Sequence, residues 1–419
     1  MINDLFGINI PLPIQTFGFF MVLSFIFGGL IISLELKRKQ KEGLLSPITK
    51  KLRIGEGMSL LEIISSSLSG FIIGFKLVAI LDAETYNMFV ENPQSFILST
   101  KGSLIGGVVF ALISVYYKWK QKEKQKLENP KWIDKKINPY ELTGNMIMIA
   151  AISGIIGAKI FANLENWEEF IHNPWGELLS FSGLTFYGGL IFGAISVIYY
   201  ARKHNIPIQH LIDSFAPALI LAYGIGRIGC QLSGDGDWGI FNSAYVVDNY
   251  GVIREAMSGE FESVKQEFAT YFKEKFPDGV PEIAFLKPEI LSFLPDWMFA
   301  YDYPHNVIRD GVTLQNCNST HCNHLPSPVY PTPIYEIIMT SFIFIFLWLI
   351  RKRIKIGGLI FCIYLILNGI ERFIIEKIRV NIEYNMLGGI TQAEIISLCL
   401  IITGIIGYYL LYKRTTKKS

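Results

Sequence analysis

The chain has 419 residues, is 51% hydrophobic and 18% charged, and has a mean hydropathy of +0.36. Soluble domains carry nearer a quarter charged residues, so composition sets a soluble enzyme aside. The net charge of +2 makes no case for a nucleic-acid partner, because the basic residues fall where membrane topology would put them.

A helix needs roughly 20 apolar residues to cross the hydrocarbon core. Nine stretches qualify, at about 16–36, 58–81, 102–117, 141–163, 184–200, 208–230, 332–350, 356–375 and 392–412. Lipid-exposed backbone must satisfy its hydrogen bonds internally. The expected fold class is therefore an all-α polytopic membrane protein, with about nine transmembrane helices and an extracytoplasmic inserted subdomain. Residues 1–232 form the first membrane part, 233–331 the insertion, and 332–419 the last three helices. The first stretch lacks a basic region before it and small residues after it, so it reads as a retained helix rather than a signal peptide.

Lysine and arginine set the orientation. Residues 37–53 hold seven and 118–136 hold eight. Residues 201–205 hold two, 351–355 four and the tail four. The alternate loops 82–100 and 164–183 hold none, nor do the first 15 residues. The N-terminus is expected outside and the C-terminus inside. Basic loops facing anionic lipid account for the Lys-rich run 118–136.

A hairpin is repeated. Residues 69–118 parallel 153–202 in apolar run, acidic aromatic loop with Asn-Pro, glycine-containing entry and basic stop. The second copy has "TFYGGL" where the first has "KGSLIGG", which suggests one active copy and one packing copy. Tyr187 opens the second copy's later helix. A lone tyrosine there is also an ordinary interfacial aromatic.

The run "YGIGRIGCQLSGDGDWG" (223–239) contains G-x-G-x-x-G. A dinucleotide loop needs a strand before it and a helix after it. Here an apolar helical run precedes and an acidic turn follows, so close helix packing or a helix break is expected instead. Arg227 is the odd residue. It is either an interfacial arginine reaching outward or an intramembrane charge with a function.

The insertion is polar, aromatic and rich in turns, and 254–276 reads as an amphipathic helix. Cys317 and Cys322 sit in "NCNSTHCNH". An oxidising exterior favours a disulfide over a zinc site with His321 and His324. Cys230, Cys362 and Cys399 read as ordinary thiols of apolar spans.

"YPTPIYE" (330–336) places Glu336 in a first helical turn, where an acid is ordinary. In "LNGIERFIIEKIRVN" (367–381), Arg372, Glu376 and Arg379 are spaced to share a helical face, with Glu371 and Lys377 pointing elsewhere. Arg227, Arg372 and Arg379 make three guanidiniums, the group that binds phosphate bidentately. No Ser-His-Asp order, H-E-x-x-H or Walker loop occurs, so a nucleophile would come from the substrate. An anion transporter also fits the repeat and the arginines, although transporter sites lie near the midplane. A non-catalytic scaffold would leave the arginines unexplained.

Together these motifs resemble the prolipoprotein diacylglyceryl transferase family. "GIGRIGCQLSGDGDWG" is similar to its signature Gly-Arg-Ile-Gly-Asn-Phe-x-Asn-Gly-Glu-x-Trp-Gly. "TFYGGLIFG" resembles "HGGLIG", "YPTPIYE" resembles "HPSQLYE", "ERFIIEKIR" resembles "RFxxEFFR", and "IQTFGFF" (14–20) resembles the first-span "RWYG". The resemblance implies transfer of diacylglyceryl from phosphatidylglycerol to the lipobox cysteine of a prolipoprotein signal peptide, at the bacterial inner membrane, without metal or cofactor. It implies catalytic roles for Tyr187, Arg227 and Arg372. Substrate binding would fall to Arg227, Glu336, Glu376, Arg379 and Asp235 or Asp237. The sequence departs from the family at Tyr187, where the family has histidine, at Phe17 for tyrosine and at Cys230 for asparagine. The acidic turn is one residue longer, and seven spans are usual.

Overall fold

A computed structural model describes residues 16–91, 96–97, 99–179, 185–248, 251–314, 317, 321–379, 383–384 and 390–416. Residues 1–15, parts of the loops 82–100 and 164–183, and the first residue of the span expected at 184–200 lie outside the described residues. Helices dominate. Among the described residues, those of 18 or more are α1 (Thr16–Lys41), α2 (Leu60–Ala79), α3 (Leu104–Glu123), α4 (Thr143–Glu165), α5 (Phe186–Lys203), α6 (Ile208–Ser233), α7 (Thr332–Ile350), α8 (Leu359–Glu376) and α9 (Gln392–Thr416). Six of them, α1, α2, α4, α6, α7 and α9, are long and apolar enough to cross a membrane. By contrast, α8 carries Glu371, Arg372 and Glu376 among its 18 residues.

The chain forms two compact units. Lys37–Ile208 belongs to the first, and Gln15–Leu36 with Gln209–Ser419 to the second. In the first unit, α2 opens on a capping box: the Glu62 amide donates to Ser59 Oγ at 3.3 Å and the Ser59 amide to Glu62 Oε2 at 3.0 Å. Two hairpins, α2 with α3 and α4 with α5, use one packing device. A Cβ on Gly157 would meet the Gly188 carbonyl and lie 2.5 Å from Phe192 Cβ; one on Gly188 would meet the Gly157 carbonyl and lie 2.7 Å from Phe161 Cβ. In the other hairpin Gly74 and Gly106 face each other's carbonyls in the same way, backed by Phe110 and Val78. The repeat in the sequence is thus a repeat of backbone contact. The basic loops 37–53 and 118–136 contain strands, β1 (Ile48–Ile54) and β2 (Lys131–Ile137). These pair antiparallel, from Ile48↔Ile137 to Ile54↔Lys131.

In the second unit α6 runs unbroken through Ser233 with Pro217 inside it. The G-x-G-x-x-G therefore lies in helical backbone and is no phosphate loop. Gly224 lets Thr340 of α7 approach, and Gly229 packs on Phe17 and Phe20 of α1, whereas Gly226 has open space. Asp213 of α6 accepts the amides of Gly358 and Phe361 at 2.8 and 2.9 Å, capping the start of α8. Its charge is thereby given a structural role.

The insertion builds small aromatic cores, one around Phe241, Phe261, Phe272 and Tyr303 and another around Tyr245 and Phe299. Short hairpins join β3 (Tyr245–Val247) to β4 (Ile253–Glu255) and β5 (Val312–Thr313) to β6 (Asn323–His324). The continuous helix expected over 254–276 is instead β4 followed by two short helices, Glu260–Glu267 and Ala269–Lys275. Left-handed Gly259 separates strand from helix, and the break at Phe268 lets Phe261 and Phe272 enter the same core. Cys317 and Cys322 are joined as a disulfide. Cys230 and Cys362 are buried free thiols, while Cys399 is exposed.

The glycine contact predicts a sharp asymmetry. Gly157→Leu should destabilise the protein by roughly 1–3 kcal/mol through overpacking, whereas Gly144→Ala, with nothing within 4 Å of its added Cβ, should be neutral or slightly stabilising. Thermal unfolding of the detergent-solubilised variants checks this; equal melting temperatures would remove the close approach of α4 and α5.

Candidate functional site

The C-terminal end of α6, the first turns of α7 and the C-terminal end of α8 bring their charges together. At the centre is Glu336, whose side chain has no exposed surface. Its Oε2 pairs with Arg227 Nε at 2.8 Å. Its Oε1 accepts from the Tyr223 hydroxyl at 2.8 Å and Arg372 Nη1 at 3.3 Å, with Arg379 Nη1 at 3.8 Å. Arg372 Nη2 also pairs with Glu376 Oε2 at 3.2 Å, and Glu376 Oε1 accepts from Thr391 Oγ1 at 2.8 Å. The ring of Tyr223 lies under the Arg227 guanidinium, 5.0 Å from centroid to Cζ, a cation–π contact.

A second carboxylate, Asp237, closes the other side. It is in direct contact with both Arg227 and Arg379. Thr332 Oγ1 at the start of α7 donates to the Asp237 carbonyl at 2.7 Å, and the Ile240 amide donates to the Ile378 carbonyl at 2.9 Å. These bonds tie the turn after α6 to the segment after α8. Burial works against ionisation of Asp237, but the guanidiniums of Arg227 and Arg379 overcome it and hold the carboxyl below its ordinary range. Asp235, two residues earlier, shows the reverse. Burial, with the Asp237 charge beside it, pushes its carboxyl up despite the bonds it receives. The turn's two aspartates therefore differ: Asp237 is the arginine partner, and Asp235 accepts the Asp237 amide at 3.4 Å.

Six residues singled out in the sequence thus meet: Arg227, Asp237, Glu336, Arg372, Glu376 and Arg379. Asp235 lies on their edge. Arg379 arrives by a different route from the one expected. The helix stops at Glu376, and Arg379 sits beyond a turn, bridged antiparallel to Gly239. A shared helical face therefore holds for Arg372 and Glu376 only. Lys377 points away and contacts Glu394. Glu371 is 1% exposed, with no hydrogen-bond partner for either carboxylate oxygen among the described residues. Its position beside Arg372 gave the sequence no sign of that. Tyr223 is a second residue the sequence reading missed; its aromatic apolar context hid a hydroxyl aimed at a glutamate 113 positions later. Tyr187 belongs to the first unit, in the opening turn of α5, with its ring 5.8 Å from that of Phe186.

The only three-residue set with metal-ligand spacing found among the described residues is Cys230, Asp235 and Asp237, whose ligand atoms lie within 4.8 Å of one another. Arg227 Nη1 is 3.7 Å from Cys230 Sγ and is paired with Asp237. A fixed guanidinium there opposes a cation, so the set fits an anion site's edge better than a metal centre. Three guanidiniums converging from separate elements can take an oxyanion bidentately.

A family model described as prolipoprotein diacylglyceryl transferase matches residues 107–410. That range holds the second hairpin and the whole charge cluster, and it leaves out the first-span motif at 14–20. Curated relatives are named phosphatidylglycerol–prolipoprotein diacylglyceryl transferase. Those of two Leptospira interrogans strains are 26% identical over 265 residues, 56% of this chain and 61% of each relative. That of Dehalococcoides mccartyi is 25% identical over 280 residues, 67% of this chain and 80% of the relative. That of Clostridium tetani is 29% identical over 265 residues, 62% of this chain and 77% of the relative. The chain thus spans about three fifths of the length of the Leptospira relatives. With a match across most of its length that includes every residue of the charge cluster, the chain belongs to the prolipoprotein diacylglyceryl transferase family.

Proposed function

We propose that this protein transfers the diacylglyceryl group of phosphatidylglycerol to the lipobox cysteine of a prolipoprotein signal peptide, releasing glycerol phosphate. The observation that carries this reading is the convergence of Arg227, Arg372 and Arg379 on one buried carboxylate. A transporter for anionic solutes would also use arginines, but membership of a transferase family decides between the two. The protein lies in the bacterial inner membrane as about nine spans, with its N-terminus outside and C-terminus cytoplasmic. Residues 1–232 and 332–419 form the membrane part and 233–331 the external insertion.

The chemistry follows from the charges. The acceptor sulfur attacks the glyceryl carbon that carries the phosphate. A C–S bond forms as the C–O bond breaks, and the electron pair leaves with the phosphate oxygen. The thiol proton passes to a base. The leaving phosphate gains charge in this step, and preorganised guanidiniums stabilise such charge where it develops. Arg227 and Arg379 hold the phosphate, Arg372 stabilises it as it leaves, and Glu336 and Glu376 fix the arginines in place.

On this reading the lipid phosphate displaces a carboxylate, because the three guanidiniums already face Asp237, Glu336 and Glu376. Asp237 is the exchangeable one. Its side chain is 34% exposed against 0% for Glu336 and 1% for Glu376, and Gly234 and Gly236 precede it in left-handed conformations, φ 62° and 97°.

Three outcomes are expected from purified protein, the rates read as mass gain on a lipobox peptide supplied with phosphatidylglycerol and the affinity by titration with phosphatidylglycerol. Arg227→Ala and Arg372→Ala should each lower the rate by about 10²–10³, the usual effect of removing one donor to a developing oxyanion; folded variants at full rate would sink the assignment. Asp237→Asn removes the resident competitor. It should tighten phosphatidylglycerol binding about tenfold, the equivalent of roughly 1.4 kcal/mol, whereas weaker binding would make Asp237 a ligand or brace instead. Tyr187 stands where the family has histidine, and of the two roles open to it, base or orienting group for the substrate, we assign it that of proton acceptor. Tyr187→Phe should therefore lower kcat about 10²–10⁴-fold, and an unchanged rate removes Tyr187 from the chemistry.

A further inference from the structure

Beside the charge cluster, the second unit holds a cavity of about 490 Å³, within the roughly 300–1,000 Å³ common for ligand pockets. One wall is Ile228, Gln231 and Leu232 of α6, a second is Ile334 and Ile337 of α7, and the third is supplied by the insertion. Trp297, Tyr301, Tyr303 and Pro304 form that third wall. The cavity reaches Gly234, one residue from Asp235 and three from Asp237.

The insertion segment that builds this wall is fastened onto the end of α6. The Tyr303 hydroxyl donates to Gln231 Oε1 at 2.7 Å, and the Val307 amide donates to the Ser233 carbonyl at 3.0 Å. A Cβ on Gly234 would lie 2.7 Å from Asn306 Cβ, so the turn must be glycine there. Tyr303 and His305 hold left-handed backbone on either side of Pro304, with φ 49° and 63°. Neither is glycine, and a residue before proline resists helical angles. Such strain persists only where the surroundings over-determine it, and it gathers at binding sites. Here buried Asn306 supplies the restraint. Its Nδ2 donates to the carbonyls of Asp310 and Asn323 at 2.9 and 3.1 Å, and its Oδ1 accepts the Asp310 amide at 2.7 Å. The Trp238 and Tyr301 rings pack on Tyr303, each 4.8 Å away.

We propose that this cavity receives the aliphatic side chains of the acceptor polypeptide next to its cysteine. The inference rests on the transferase reading for the identity of the acceptor. The reaction has two substrates, and the arginines face a phosphate. A wall of aromatic rings and proline, carrying hydroxyls and contributed by an external insertion, suits an extended apolar peptide. An acyl chain belongs instead in the hydrocarbon between the spans. Continuity with the signature turn places the occupant's next residue at the arginines.

Binding can be measured apart from turnover. The probe is a fluorescent lipobox peptide with serine in place of cysteine, titrated against the full chain in phosphatidylcholine nanodiscs and read by anisotropy. Trp297→Ala opens the cavity from the insertion, and Leu232→Trp fills it from α6. With melting temperatures at the wild-type value, each should weaken peptide binding at least tenfold. Peptide that binds both variants as tightly as wild type overturns the proposal, as does a wild type that binds no peptide. Displacement of bound peptide by phosphatidylglycerol added to the nanodisc lipid also overturns it, by assigning the cavity to an acyl chain. Peptide binding with these effects, together with no transfer to the cysteine peptide, would leave the cavity assigned and reject the transferase reading.

Discussion

The second unit depends on one buried carboxylate. Glu336 is fully enclosed, so its charge is tolerable only while guanidiniums and the Tyr223 hydroxyl surround it. Those partners come from α6, from α8 and from the segment beyond α8. Each element's position is therefore fixed by the need to satisfy the same group. Removing one partner of a buried pair typically costs about 3–5 kcal/mol, since the other charge is left stranded. The same constraint explains why Gly224 is needed on α6. Only a missing side chain lets Thr340 sit one turn beyond Glu336 and against α6, where Thr340 Oγ1 also bonds the Glu336 carbonyl at 2.6 Å.

Under the proposed function, a cluster of three guanidiniums and three carboxylates makes a selective anion site rather than an open one. Arginines left unpaired in an apolar setting would be costly and would take any passing anion. Paired ones ask an incoming phosphate to do better than a carboxylate. Glu336 and Glu376 cannot leave without stranding a charge in the interior. Asp237 is partly buried on a turn that Gly234 and Gly236 lead into, and it is the most exposed of the three carboxylates, so its contacts are the ones most readily exchanged. In the proposed reading the acidic turn sets the threshold for binding, while the buried pair sets the geometry.

What could be read from the sequence follows the range of the interaction. Arg227 stood out because a charge among apolar residues is conspicuous by itself. Arg372 and Glu376 showed as an i, i+4 pair because both lie within one helix. Glu336 was marked only by the resemblance of its motif, since an acid after proline at a helix start is ordinary by itself, and only three distant arginines make it central. Arg379 was placed on the right site by the wrong device: helical spacing was extended past Glu376, where the chain has already turned. The two aspartates of the acidic turn had equal standing until their neighbours were known, and contact with Arg227 and Arg379 separates them. The insertion's helix was misread because periodicity in 254–276 reflects two short helices feeding one core, and a strand precedes them.

The repeat is informative at the level of single positions. Gly74, Gly106, Phe110 and Val78 of the first hairpin match Gly157, Gly188, Phe192 and Phe161 of the second in their contacts. Lys76 and Lys159 fall at the same place two residues on. Lys76 donates to the carbonyls of Phe96, Ser99 and Lys101 at 2.7, 2.5 and 2.8 Å, tying the loop back to its helix, and Lys159 is buried. In this frame the position of Tyr187 corresponds to Ile105, which is 79% exposed. The two copies thus share the glycine contacts that hold each helix pair together, and Tyr187, partly buried with its ring against Phe186, stands where the first copy has an exposed isoleucine.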